Sequence, residues 1–107
     1  MNQKQFLSHL ENTFKQGLEL VRIKNADYAI ESNPFQNFDF AKLIGLKPEE
    51  AILVRVSDKL ARVSNLLRKE DVAVVEESIA DTCLDMINYL AIMMAYMENE
   101  KTKTSIS

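Results

Sequence analysis

The chain has 107 residues, of which 47% are hydrophobic and 27% charged, and this composition fits one small globular domain over residues 1–107. The net charge of −3 and the scattered basic residues exclude the positive patch of a protein that binds duplex nucleic acid directly. Cys83 is the only cysteine, which excludes an intramolecular disulfide and a cysteine zinc cluster. The N-terminus lacks the apolar core of a signal peptide, and the apolar run at 89–97 is too short to span a bilayer, so we expect a cytoplasmic protein without a membrane partner.

Helical spacing dominates the chain, because only two glycines and two prolines interrupt it. The pattern predicts an all-α fold, a small bundle of about four helices, one of them short. The first helix is expected to run from Gln3 to about Ile30, with apolar residues at steps of three and four on one face. Pro34 marks the loop that follows, and a short helix is then predicted to be capped by Asp39 and to end at Gly45.

Two longer helices complete the prediction. Pro48 suits the first position of a helix that runs to about Lys69. Asp71 is placed to cap a last helix from Val72 to about Glu100, and residues 101–107 are expected to fray. The short connection makes these two helices antiparallel neighbours.

Acidic residues recur along one side of the last helix. At about 100° per residue, Glu77, Asp81 and Asp85 lie near one another, opposite an apolar seam. That predicted core seam consists of Ile79, Cys83, Met86, Leu90, Met93 and Met97. Oxygen ligands at this spacing favour Mg²⁺ or Mn²⁺ over Zn²⁺. The alternative is a solvated acidic surface, since acids at helical spacing are common on exposed helices.

The continuation of the acidic side argues that part of it is covered. Ile92, Ala95 and Tyr96 extend it, and such residues are unusual in water over a full turn. Residues 90–97 are apolar nearly all round, which indicates burial on more than one side and predicts a homo-oligomer, a dimer or tetramer, that shares this helix.

The preceding helix carries a polar stripe beside its apolar seam. The stripe consists of Arg55, Asp58, Arg62 and Asn65. Its charged members either form ion pairs along the helix or face a ligand. Lys59 lies beside the apolar seam, so either its stem snorkels or its ammonium group meets an anion. Lys59 and Arg62 opposite an acidic stripe would suit a metal-bridged polyphosphate.

Three segments carry a resemblance to a known family. They are KNADYAIESNPFQNF at 24–38, DKLARVSNLL at 58–67 and ESIADTCLDMINYL at 77–90. Their K-x-x-D-Y, F-x-N-F and D-x-x-x-D-x-x-N-Y patterns resemble the nucleotide-modification-associated domain proteins of phages and bacteria, which are similar to the all-α MazG-like nucleoside triphosphate pyrophosphatases. The resemblance implies an oligomeric, Mg²⁺-dependent hydrolase in a bacterial or phage-infected cytoplasm, which converts an NTP or dNTP to the monophosphate and pyrophosphate.

The resemblance also implies roles for individual residues. Asp81 and Asp85 would be metal ligands, and Glu77 would be a further ligand or, like Asp58, the catalytic group that orients the attacking water. The residues expected to bind the nucleotide are Lys24, Asp27, Tyr28, Phe35, Asn37, Phe38 and Asn88, joined by Lys59 and Arg62. Without the resemblance, the aromatic members of this set would be read as packing residues.

Two alternatives to hydrolysis stay open. Thr82 stands three residues before Asp85, where the superfamily pattern has a glutamate, and the earlier helix offers only Asp58. A non-catalytic nucleotide-binding protein, serving nucleotide modification or the sequestration of a defence signalling nucleotide, fits a reduced set of acids. A helical protein-interaction module is the other alternative, in which the acids are surface.

Overall fold

The computed structural model describes residues 1–28, 33–69 and 72–106, apart from the side chains of 26–28, 72–74 and 104–106. These residues form helices and no strand, as the sequence predicts. The helices are α1 (Gln3–Tyr28), α2 (Gln36–Asp39), a 3₁₀ helix (Phe40–Ile44), α3 (Pro48–Leu66) and α4 (Val72–Ile106). The first helix was predicted to end near Ile30, which lies outside the described residues.

The starts and stops between α2 and α3 follow local chemistry. Gly45 takes a left-handed conformation, with φ of 81°, directly after the 3₁₀ helix, as predicted. Pro48 opens α3, and the side chain of Glu50 accepts a hydrogen bond of 3.0 Å from the backbone N–H of Lys47. Asp39 occupies the N-cap position of the 3₁₀ helix, but the predicted cap by its side chain is wrong, because Asp39 is itself in helical conformation and its side chain makes no capping hydrogen bond.

The other predicted ends differ by a few residues. The helical run of α3 ends at Leu66, short of the predicted Lys69. The predicted cap at Asp71 lies outside the described residues. Helix α4 continues to Ile106, beyond the predicted end near Glu100, so most of the tail expected to fray is helical.

The centre of the fold is the pair formed by α3 and α4. Lys59 contacts Asp85 and Arg55 lies over Tyr89, so the two helices run antiparallel, as predicted. Ile52, on the side of α3 that faces α4, is fully buried. Its burial anchors the pair.

The direction in which α4 faces the core differs from the prediction. Among its described side chains Thr82 and Tyr96 are the buried ones, whereas Cys83, Leu90 and Met97 of the predicted core seam are exposed. On a helical projection the buried side is rotated by about 90° from that seam. A helix that is apolar nearly all round does not specify its inner face, so its neighbours decide.

Helix α1 crosses α4 at Gly17. A Cβ atom on Gly17 would lie 2.8 Å from Asn88 Oδ1 and 3.3 Å from Leu84 Cδ1. The absence of a side chain at Gly17 therefore lets the side chains of Asn88 and Leu84 pack directly against the backbone of α1. This crossing places the C-terminal half of α1, including Lys24, beside Asp85.

We expect Gly17→Leu to lower the free energy of unfolding by about 1–3 kcal/mol, because the added side chain must push α1 from α4. Urea denaturation followed by circular dichroism measures the change. Gln16→Leu, at the exposed neighbouring position, is the control and should stay within about 0.5 kcal/mol of the parent. Equal stability of both variants would mean that α1 does not pack through Gly17.

In the described part of the chain, no helix is both long enough and apolar enough to cross a membrane.

Candidate functional site

A cleft of about 510 Å³ opens between α1, the segment 33–39 and the α3–α4 pair. We call it the aromatic cleft, after Phe35, Phe38 and Tyr89 in its wall. Its other lining residues are Val21, Lys24, Asn25, Pro34, Asn37, Arg55, Ile92 and Ala95. Two of the residues that line it are cationic and, within the described part of the chain, none is acidic.

Edge-to-face contacts hold the aromatic wall in place. The rings of Phe38 and Tyr89 have centroids 6.5 Å apart at 84°, and those of Phe35 and Tyr96 have centroids 5.4 Å apart at 79°. Phe38 is buried although it lies on the four-residue helix α2. The wall is thus built by tertiary contacts before any ligand arrives.

The segment that carries Phe35 is closed by its own hydrogen bonds. Asn33 accepts one from the backbone N–H of Phe35 at 3.1 Å, and its side-chain amide donates to Asp39 Oδ2 at 2.9 Å. Asp39, expected as a helix cap, therefore fixes this loop instead.

Tyr96 forms an uncharged part of the structure behind this wall. Burial raises the pKa of the Tyr96 phenol above its ordinary value, and the negative charges of Glu100, Glu49 and Asp39 raise it further. A tyrosine phenol is neutral at physiological pH even at its ordinary pKa, and here the ring packs against Phe35. The predicted cover over this side of α4 is present at Tyr96 and in part at Ile92, whereas Ala95 is exposed.

Arg55 marks the mouth of the aromatic cleft. Its guanidinium carbon lies 5.4 Å from the ring centroid of Phe38 and 5.9 Å from that of Tyr89. Both distances are within the range of cation–π attraction, which positions the planar group. Within the described residues Arg55 forms no hydrogen bond or ion pair, so its five N–H donors are available to a ligand.

A second, more open depression of about 740 Å³ continues from Arg55 and Tyr89 along α3. We call it the cationic groove, because Arg55, Lys59, Arg62 and Lys69 line it together with one acid, Asp58. The predicted alternative, ion pairs among the charged members of the α3 stripe, does not occur in the part of α3 that the structure describes. These cations are therefore not neutralised along their own helix, and the one ion pair that the described part of α3 forms joins Lys59 to Asp85 of α4.

Asp85 forms ion pairs with two lysines, which lie on two other helices. Its carboxylate oxygens lie 3.3 Å from Lys59 Nζ and 3.7 Å from Lys24 Nζ. The Asp85 side chain is 25% exposed, and that of Lys59 is 33% exposed. Of the two possibilities for Lys59, the structure shows the ammonium group meeting an anion. We call the three residues the Asp85 triad; it lies beside a small cavity that adjoins the aromatic cleft.

The predicted metal ligands are not brought together. Among the described residues no group of three His, Cys, Asp or Glu side chains could hold a metal ion. Glu77 and Asp81 are exposed, while Asp85 turns towards α1 and α3 and is paired there with lysines. Asp58 lines the cationic groove as its single described acid. In this arrangement Asp85 is paired with ammonium groups, and the described carboxylates do not form a group that could hold Mg²⁺ or Mn²⁺ by themselves, without the phosphates of a ligand.

Unlike the predicted metal ligands, most of the residues predicted to bind a nucleotide line neighbouring cavities. The aromatic cleft contains four of them, Lys24, Phe35, Asn37 and Phe38. The cationic groove contains Lys59 and Arg62. Asn88 lies at the small cavity beside Asp85. The side chains of Asp27 and Tyr28 lie outside the described residues.

Among the polar and aromatic residues of the cleft, the predicted site omitted three: Asn25, Arg55 and Tyr89. A signal existed for two of them, because Arg55 belongs to the polar stripe of α3 and Tyr89 ends the D-x-x-N-Y pattern. The sequence pattern does not predict how close Arg55 and Tyr89 lie to Phe38, because that distance depends on how α2 packs against α3 and α4.

Comparisons with known proteins add no family or neighbour to this geometry. No family model matches the chain, and neither the curated proteins nor the solved structures gave a match. The resemblance noted in the sequence motifs therefore stays a prediction. Function has to be inferred from the residues of the aromatic cleft and the cationic groove.

Proposed function

We propose that the protein binds a nucleoside phosphate without a metal ion, the base in the aromatic cleft and the phosphates in the cationic groove. The observation that carries this proposal is that the two depressions share Arg55 and Tyr89 in their linings and so lie side by side. A flat aromatic ligand with an anionic tail matches a site that is aromatic at one end and cationic at the other.

The aromatic cleft offers what a nucleobase needs. Phe35, Phe38 and Tyr89 supply ring surfaces, and base–aromatic stacking is worth about 1–3 kcal/mol per base in other proteins. The amides of Asn25 and Asn37 lie in the same lining and both donate and accept hydrogen bonds, as the edge of a base requires. A volume of about 510 Å³ is within the usual range for small-molecule sites.

The cationic groove offers what a polyphosphate needs. Arg55 and Arg62 are two turns apart on α3, about 10 Å along the helix axis, and both border the groove. A guanidinium group binds phosphate oxygens in pairs, with stronger hydrogen bonds than neutral donors make. Lys69 extends the positive surface beyond the end of the helix.

Hydrolysis is not part of this proposal. The described acids provide no metal group, and Asp85 already neutralises two lysines, so binding requires fewer assumptions than catalysis. Mg²⁺-dependent release of pyrophosphate stays a prediction of the family resemblance and is measured in the same experiment.

Isothermal titration calorimetry with a panel of NTPs and dNTPs, in EDTA and then in Mg²⁺, tests the proposal. We expect at least one nucleotide to bind in EDTA, and to bind more tightly than its nucleoside or inorganic triphosphate alone, because each fragment fills one half of the site. Binding should weaken as salt is raised, since exposed cations contact the phosphates.

Each outcome of this titration has a clear meaning. No binding of any panel member in EDTA would contradict the proposal. Binding only with Mg²⁺, or pyrophosphate release on its addition, would favour the hydrolase. Binding of triphosphate alone as tightly as any nucleotide would show that the aromatic cleft takes no base.

A further inference from the structure

The chain exposes more surface than a compact monomer of its mass. A folded monomer of 12.2 kDa is expected to expose about 6,100 Å². This chain exposes 8285 Å², which is roughly 2,200 Å² more. Its radius of gyration is 16.4 Å, against about 13 Å for a compact domain of this length. A standard protein interface removes about 800 Å² from each partner, so the excess is large enough for an extensive interface.

Part of the exposed apolar surface lies on one side of the α3–α4 pair. Three leucines recur along α3 at steps of seven, namely Leu53, Leu60 and Leu67 directly after its last turn, and all are exposed. Leu90 and Met97 of α4 are also seven apart, and both are exposed with Met94 between them. We call these six residues the back face.

The two stripes of the back face belong to one surface. On a helical projection, each stripe is displaced by roughly a quarter turn from the residues that contact the other helix. The displacement has the same sense of rotation on α3 and on α4. Because α3 and α4 are antiparallel, both stripes then point to the same side of the pair. Apolar residues at steps of seven on adjacent antiparallel helices are typical of a four-helix bundle, and α3 and α4 would supply two of the four helices.

The candidate site lies on the opposite side. Arg55 and Arg62 project to the other flank of α3 from Leu60, and Asp85 projects to the other flank of α4 from Leu90. A molecule that covers the back face therefore leaves the aromatic cleft and the cationic groove open.

We propose that the back face docks a second copy of this chain, so that two α3–α4 pairs form a four-helix bundle with a site on each outer side. The heptad spacing on both helices makes the face self-complementary, and between Ala80 and Met97 this side of α4 carries no charged residue. Helix α1 also has an exposed apolar stripe that includes Phe14, but it is a single helix and offers no paired surface.

Analytical ultracentrifugation of the full chain at micromolar concentration tests the proposal. We expect the parent protein to be a dimer, and Leu60→Glu and Leu90→Glu to shift it to monomer by burying a charge at the centre of the interface. Leu43→Glu is the matched control, because Leu43 is even more exposed but lies on the 3₁₀ helix, outside the α3–α4 pair. Phe14→Glu tests the competing stripe on α1, and both of these variants should stay dimeric.

Cys83 gives a second measurement that needs no substitution. It lies seven residues before Leu90 on the same stripe, and its thiol is exposed in the single chain. We expect maleimide to modify it at least tenfold more slowly in the dimer than after dilution to monomer. This readout decides the matter even if a glutamate variant fails to fold.

Several results would overturn the proposal. A monomeric parent protein would do so, and so would binding of the monomer to lipid vesicles through the back face. A dimer that survives both Leu60→Glu and Leu90→Glu, or one that Phe14→Glu alone disrupts, would assign the interface elsewhere. An equally reactive Cys83 in monomer and dimer would place this stripe outside the contact.

Discussion

Replacing Arg55 with alanine is expected to weaken nucleotide binding about 30-fold, which corresponds to about 2 kcal/mol. Arg55 is the residue at which the aromatic cleft and the cationic groove meet, and its guanidinium lies over Phe38 and Tyr89. The substitution removes a charge-assisted pair of hydrogen bonds to phosphate together with a cation that the two rings have already positioned. Calorimetric titration with the tightest nucleotide of the panel measures the loss.

Arg55→Lys and Arg68→Ala separate the causes of that loss. Lysine keeps the charge but not the planar fork, so we expect Arg55→Lys to recover part of the affinity. Arg68 lies just beyond α3 and does not line the cleft or the groove, so Arg68→Ala should change affinity less than twofold. If Arg55→Ala and Arg68→Ala behave alike, the proposed path of the phosphates is wrong.

Replacing Asp85 with asparagine is expected to strengthen nucleotide binding about tenfold. Its carboxylate neutralises Lys24 and Lys59 and repels an incoming phosphate, and a charge several ångströms away in a partly buried site is worth about 1–2 kcal/mol after screening. Asparagine removes the charge at nearly constant volume and leaves both lysines to the ligand. Titration in EDTA measures the gain.

The same substitution should weaken nucleotide binding, not strengthen it, if Asp85 is a metal ligand. In that case Asp85→Asn loses Mg²⁺-dependent binding, and Asp81→Asn, one turn earlier, loses it too. In the paired arrangement Asp81 is an exposed residue, so Asp81→Asn is the matched control and should leave binding in EDTA unchanged. We expect Asp85→Asn to cost at most about 1 kcal/mol of folding stability, because both lysines keep contact with water.

The ends of several elements could be predicted from sequence because they depend on a few neighbouring residues. Gly45 ends the 3₁₀ helix since a left-handed conformation costs glycine little, and Pro48 begins α3 since its ring suits the first helical position. The wrong prediction at Asp39 was also local: Asn33, six residues earlier, offered its side chain a partner that the capping pattern ignored.

The site was predictable in part. Phe35, Asn37 and Phe38 are adjacent in sequence, so identifying their segment places them together, and all three line the aromatic cleft. The acids were harder, because spacing on one helix fixes only how Glu77, Asp81 and Asp85 stand relative to one another. It does not fix which of them meets a neighbouring helix.

The sequence alone determined that this protein is all-α, where α3 begins, and which short segments carry the aromatic and cationic residues. Only the tertiary structure decided how α4 is rotated about its axis. That rotation determines which acids are exposed or paired, and which residues of the predicted core seam are buried. Local signals act over about one helical turn, whereas Asp85 takes its partners from Lys24 and Lys59 on two other helices. A helix that is apolar nearly all round can pack on several sides, so its neighbours select the one that is buried.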